Sequence, residues 1–394
     1  MHNRMTIKID KRNIGIFVLA VFINTILLTA LLPSYGIIIL SSIISNMLLL
    51  LLEVYALTSM LLTNRRFTFE FVLSAYFLLI TLLNVQHQQL HTVYYISTVL
   101  MIFGVASSVD SVVRSKRDFQ TLAKYMSFFS IFFVSVFLLN NYSLEKILTA
   151  STASAIYYIL TLLPFVLCLK NTFWRRLLTI VISVCCILSL KRTALIGLAM
   201  GLLFYIYAQS AQKVSSSFLR KLRIVVIAAV LFCAFLLVQD VLGVEMLDRF
   251  TTIFDDGGSN RSYIYETVWE RFKELDLFEQ LFGKGFNGVR YTLGIKSGYE
   301  ETIVSAHNDV LEVLVDYGLI GLCLYVGFVT KHIKHCIRMV KLKSRYAGAA
   351  VANIALFIVI SMFSHLVIYP TYFINIVMMM ALVQKNSTLE RREE

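Results

Sequence analysis

Two polar stretches interrupt otherwise apolar sequence, and both carry side chains suited to phosphate binding or proton transfer. The first is Ser189-Leu-Lys-Arg-Thr193, which sets the adjacent cations Lys191 and Arg192 between two hydrophobic runs. A guanidinium is planar and can donate two parallel hydrogen bonds, so Arg192 suits a phosphate or diphosphate. Snorkelling to lipid headgroups is the simpler use of such cations. The second stretch is Ser305-Ala-His307-Asn308-Asp309-Val-Leu-Glu312-Val-Leu-Val-Asp316-Tyr-Gly318. An imidazole with an ordinary pKa of about 6.5 can take a proton from a hydroxyl near neutral pH, which makes His307 a candidate base. A capping or core-satisfied histidine is the other reading. A third candidate is Asn260-Arg261-Ser-Tyr263-Ile-Tyr-Glu-Thr-Val-Trp269, where an arginine and aromatics could grip a diphosphate and the rings joined to it. An arginine on a solvated helix face is the commoner explanation of Arg261.

The elements that must position these residues are membrane helices. The chain has 394 residues, of which 58% are hydrophobic and only 15% charged, with a mean hydropathy of +0.74. Apolar runs long enough to cross a hydrocarbon core of about 30 Å recur along its length. They lie near 13–32, 36–62, 67–85, 92–110, 121–140, 146–169, 172–190, 193–210, 222–239, 306–330, 346–366 and 368–384. This predicts an all-α polytopic membrane protein of about twelve spans. In the tenth span, only 13 residues separate Gly318 from Thr330 inclusive, about 20 Å of helix. The turns holding Asp309, Glu312 and Asp316 must therefore enter the bilayer, facing protein or a water-filled cavity. Helical spacing puts His307, Leu311, Leu314 and Gly318 on one face and the three acids on a neighbouring stripe.

Basic clusters fix the orientation, because cytoplasmic loops gather Lys and Arg. Arg4–Arg12, Arg65–Arg66, Arg114–Arg117, Lys170–Arg176, Lys213–Arg223, Lys331–Arg345 and Lys385–Arg392 all fall on one side of the twelve-span reading. That side is cytoplasmic, with both termini in it. The net charge of +12 is thus a matter of topology, and the basic residues form no aromatic-interleaved stripe for nucleic acid. The N-terminal basic residues and the run after them predict an uncleaved first helix. The six cysteines lie in or beside predicted helices, which points to packing and not to a disulfide framework.

Three units follow: helices 1–9 over residues 1–238, an extracytoplasmic lid over 239–305, and helices 10–12 with a cytoplasmic tail over 306–394. The lid carries twelve acids and seven bases, and Ser262–Leu281 within it has helical spacing, with Ser259 or Asn260 as its cap. Gly283-Lys-Gly285-Phe-Asn-Gly288 matches a dinucleotide-binding pattern, but no strand or βαβ unit surrounds it, and turn glycines are the better reading. P-loop, H-E-x-x-H and D-x-D motifs are absent from the sequence, so neither a metal nor a cofactor is expected.

The polar turn at 189–193, the Arg261–Trp269 segment, Leu281-Phe-Gly-Lys-Gly285 and Ser305–Gly321 occur in that order. In this the chain resembles the O-antigen ligase and Wzy-type polysaccharide polymerase superfamily, over roughly residues 185–335. Lys191 departs from the small or polar residue common before the family's arginine. The resemblance implies a GT-C-like fold and a metal-independent, inverting glycosyl transfer from a polyprenyl diphosphate at the outer face of a bacterial cytoplasmic membrane. It implies that Arg192 and Arg261 bind the diphosphate and that His307 acts on the acceptor hydroxyl. Lys191, Tyr263, Trp269, Asn308, Asp309 and Glu312 would line the substrate. The implied partners are a lipid-linked oligosaccharide donor and acceptor, membrane lipids and a chain-length regulator. The favoured activity is polymerisation of repeat units for a capsule or similar surface polysaccharide. A ligase acting on a final acceptor is the alternative, and a lipid-linked oligosaccharide flippase is the rival from another class. A transporter would not need the lid, and the two related halves common in such proteins are not evident.

Overall fold

The computed structural model describes residues 11–31, 38–62, 68–84, 92–141, 155–189, 191–211, 257–295 and 303–391. Its regular elements are all helices: α1 (Lys11–Leu31), α2 (Ile38–Leu62), α3 (Phe69–Leu83), α4 (Thr92–Val112), α5 (Lys116–Asn141), α6 (Ile156–Leu160), α7 (Leu163–Leu167), α8 (Thr172–Leu188), α9 (Arg192–Ala211), α10 (Gly257–Glu274), α11 (Leu277–Phe282), α12 (Gly288–Tyr291), α13 (Asp309–Lys341), α14 (Ala347–Phe363) and α15 (Pro370–Arg391). Among the described residues, five helices (α2, α4, α5, α9 and α13) are long and apolar enough to cross a membrane, and shorter apolar helices accompany them. This is the pattern of a polytopic membrane protein. The expected ninth span, 222–239, and the lid residues 239–256 and 296–302 lie outside the described residues.

Most expected spans coincide with helices to within a few residues. The expected run 146–169 differs: its described part is two short helices, α6 and α7, broken at Thr161–Leu162 just before Pro164. The helix of the tenth span runs on to Lys341, past the apolar stretch, because hydropathy marks the buried length of a helix and not its end. Polar caps start several helices. Thr68 accepts from the Phe71 amide, Asn171 from Phe173 and Trp174, and Asn308 from Val310 and Leu311, each satisfying a donor the helix leaves open. α9 packs along α14, α4 sits among α2, α3 and α15, and α13 packs on α3, α11 and α14. A part-buried ion pair pins α3 to α13: Lys331 Nζ, about a quarter exposed, lies 2.7 Å from Oε1 of the buried Glu70.

The acidic turns of α13 face protein. At Gly318 the backbone leaves the helical region (φ 66, ψ −171), a conformation open essentially to glycine alone. The break frees the carbonyls just before it, and each is recaptured. The Lys284 amide donates to Val315 O at 2.9 Å and the Gly285 amide to Asp316 O at 2.8 Å. The Tyr76 hydroxyl donates to Tyr317 O at 3.0 Å. The Asp316 carboxylate accepts the Asn287 and Gly288 amides, both at 2.7 Å. The glycine-rich segment is therefore a turn that docks on the kink, as its glycines suggested.

Residues 257–295 share a small core with the start of α13. Ile264, Val268 and Phe272, at i, i+4 and i+8 of α10, are buried with Val289, Ile295, Ala306 and the α13 residues Leu314 and Val315. Each such side chain contributes about 1.5–3 kcal/mol when removed from water. The predicted single helix 262–281 is instead α10 followed by α11, with Asp276 Oδ1 accepting from the Glu279 amide to start the second. α10 begins at Gly257, so Ser259 and Asn260 lie in its first turn and do not cap it.

Candidate active site

His307 does not sit on a helical face. It precedes the cap Asn308 with φ 54, in the left-handed region that non-glycine residues avoid at a cost of about 1–2 kcal/mol. Hydrogen bonds from Asn308 and Tyr265 hold this turn in place. Asn308 Oδ1 caps α13, accepting from Val310 at 2.9 Å and Leu311 at 3.3 Å, while its Nδ2 donates to Met362 O at 3.4 Å. The Tyr265 hydroxyl, one helical turn beyond Arg261, lies 3.1 Å from His307 O and 3.0 Å from Met362 O. The end of α14 is thus the common anchor, and the Thr193 hydroxyl reaches it too, donating to Phe363 O at 3.4 Å.

That convergence brings in a residue the sequence did not single out. The His365 ring packs on the His307 ring with centroids 4.2 Å apart. His365 is 8% exposed and lies in the connection between α14 and α15. Burial, then the charges of Arg261 and Lys191, pull the His307 imidazole down to about 4. Burial, His307 and the same two cations hold His365 well below the ordinary 6.5. The Lys191 ammonium is itself lowered by burial and by Arg261. Burial raises the Tyr265 phenol, although Arg261 opposes the shift. Two packed imidazoles therefore lie within electrostatic reach of two cations, drawn from the α8–α9 turn and from α10. Such a set can hold an anionic group beside a proton acceptor.

Residues 177–326 match the O-antigen ligase family model. The match supports the O-antigen ligase and Wzy-type superfamily, whose members are membrane ligases and polymerases of the glycosyltransferase kind. No curated protein matches the chain. The matched segment contains Lys191, Arg192, Arg261, Tyr265 and His307, whereas His365 lies beyond it. Nothing local could have found His365, a single histidine at the end of an apolar run, 58 positions after its partner.

The remaining predicted residues of the matched segment divide into three groups. Arg192 opens α9 and is half-buried next to Lys191. Tyr263 and Trp269 lie on the exposed side of α10, at 48% and 47% exposure, with Trp269 stacked on Phe272. Asp309 and Glu312 are fully buried. Asp309 Oδ1 accepts from the Leu366 amide at 2.9 Å and the Val367 amide at 3.2 Å. Glu312 Oε1 accepts from the Ala306 amide. The two carboxylates thus grip the backbone on either side of the histidine pair: Ala306 beside His307, and Leu366 beside His365.

Proposed function

We propose that the chain polymerises lipid-linked oligosaccharide repeat units of a capsular or O-antigen type polysaccharide, at the outer face of the bacterial cytoplasmic membrane. The reading adopts twelve spans with both termini cytoplasmic, and residues 239–305 as an exported lid over the site. One observation carries it: His307 stands with Lys191 and Arg261 inside the segment that matches the O-antigen ligase family.

In the proposed step the acceptor sugar hydroxyl attacks the anomeric carbon of the donor. The bond from that carbon to the diphosphate oxygen breaks, polyprenyl diphosphate leaves, and the hydroxyl proton passes to His307, with inversion. Arg261, Lys191 and Arg192 stabilise the negative charge that grows on the leaving group. The low pKa keeps His307 unprotonated and able to accept. A bound diphosphate offsets the two cations, which raises the imidazole pKa toward a value suited to a base. Asn308, Asp309 and Glu312 act as positioning residues in this scheme, and Tyr263 and Trp269 offer ring faces to the glycan.

The test is purified protein given synthetic lipid-linked repeat units in detergent, without metal or nucleotide, with products sized on a gel. A ladder of longer chains is expected, lost in His307→Ala, Arg261→Ala and Arg192→Ala while the helical circular dichroism is retained. An unchanged ladder in His307→Ala removes the assignment. Transfer to a different final acceptor without a ladder replaces the polymerase with a ligase, and movement of the lipid across a bilayer without new bonds replaces both with a flippase.

A further inference from the structure

A cavity of about 960 Å³ lies between α5 and the start of α8, lined by none of the residues of the candidate site. Its walls change character along one direction. Arg117, Lys124, Phe128 and Ile131 recur at helical spacing on one face of α5, running from cationic to apolar. Those 14 residue steps span about 21 Å. Lys170 and Trp174 close the opposite wall at its charged end. Phe128 is 70% exposed and Trp174 is 47% exposed, so the groove opens sideways to the surrounding lipid. A tryptophan beside lysines and an arginine is the composition of a membrane interface, and the charged end lies at the basic side of the bundle.

We propose that this groove is a binding site for an anionic glycerophospholipid of the cytoplasmic leaflet. Arg117, Lys124 and Lys170 hold its phosphate, and one acyl chain lies along Phe128 and Ile131. The charge complementarity fixes the headgroup, since a zwitterionic lipid would bring its own cation to three cations. The apolar length below them fixes an amphiphile in place of a free anion. The leaflet follows from the proposed orientation, whereas the binding does not depend on the transferase reading. Each cation near a lipid phosphate contributes about fivefold in affinity, or roughly a hundredfold for the three.

The full-length protein in phosphatidylcholine nanodiscs, with and without phosphatidylglycerol, is analysed by native mass spectrometry and thermal unfolding. Retained phosphatidylglycerol and a raised unfolding midpoint are expected for the parent chain. Both should be lost in Arg117→Gln/Lys124→Gln/Lys170→Gln. Ile131→Trp, which fills the chain slot and keeps every charge, should lose retention while its unfolding midpoint stays at the lipid-free value. Equal stabilisation by phosphatidylcholine overturns the proposal, as do undiminished retention in both variants and retention of a polyprenyl phosphate in place of the glycerophospholipid.

Discussion

Replacing Gly318 by alanine should detach the glycine-rich turn from α13. The backbone there (φ 66, ψ −171) costs a side-chain-bearing residue about 1–3 kcal/mol. Space is the larger problem. A Cβ at this position would lie 2.3 Å from Leu281 O and 2.4 Å from Leu281 C, so backbone must move. Retreat of that strand of chain breaks the bonds from Lys284 and Gly285 to the kink carbonyls, about 1 kcal/mol each. The sum is about 3–5 kcal/mol, before any loss of the amides on Asp316. Gly294 is the control: its φ is +60 but nothing lies within 4 Å of an added Cβ, so Gly294→Ala should cost only about 1–2 kcal/mol. Thermal unfolding in detergent, with hydrogen exchange at the amides of 284–288, measures both. Protected amides and a midpoint equal to that of Gly294→Ala would refute the reasoning.

Other variants probe the site and its frame. The lowered His307 pKa has a definite sign: its neutral form is the folded one, so stability is flat above pH 6.5 and falls as pH drops from 6.5 toward about 4. The fall is at most about 3 kcal/mol, and unfolding midpoints of His307→Asn against the parent over this range should show it removed. Because the two rings pack together, His365→Ala should lower turnover by roughly tenfold to a hundredfold by freeing the His307 ring, whereas a structural loss alone would leave kcat per folded molecule unchanged. Asn308→Ala removes a helix cap worth about 1 kcal/mol and should cost more in activity than in unfolding midpoint. Glu70→Gln removes the carboxylate that pairs with the part-exposed Lys331 ammonium, and a loss of about 1–3 kcal/mol should be read as a lowered unfolding midpoint.

How much of this the sequence disclosed depends on the range of the forces involved. Membrane helices follow from composition summed over about 20 residues, and α2, α4 and α9 begin and end within two residues of the apolar runs near 36–62, 92–110 and 193–210. Breaks set by single backbone positions were harder. The α6–α7 interruption and the split at Asp276 sit inside runs whose average hydropathy or charge pattern stays uniform. In the candidate site, Lys191, Arg261 and His307 stand out in the sequence because each is a polar residue where apolar or acidic ones dominate. His365 left no such trace, since its meaning comes from a ring 4.2 Å away in space and from cations on two other helices.

The acidic stripe of α13 shows the limit most clearly, because its spacing was legible and its purpose was not. Three carboxylates at intervals of three and four residues fit a wet cleft or a set of backbone anchors equally well, since both need acceptors on one helical face. The difference lies in the partners. Asp309 takes the amides of 366 and 367, Glu312 that of 306, and Asp316 those of 287 and 288. Each acid joins the kinked start of one membrane helix to a different segment of chain, and two of those segments hold the paired histidines. Irregular backbone near a bilayer needs its polar groups satisfied by protein. A carboxylate can accept several amides at once and hold them more tightly than a neutral acceptor. The acids therefore supply the rigidity that a site built from loops would otherwise lack. On this account Asp309→Asn should loosen the 365–367 segment and impair turnover without any contact to the glycan.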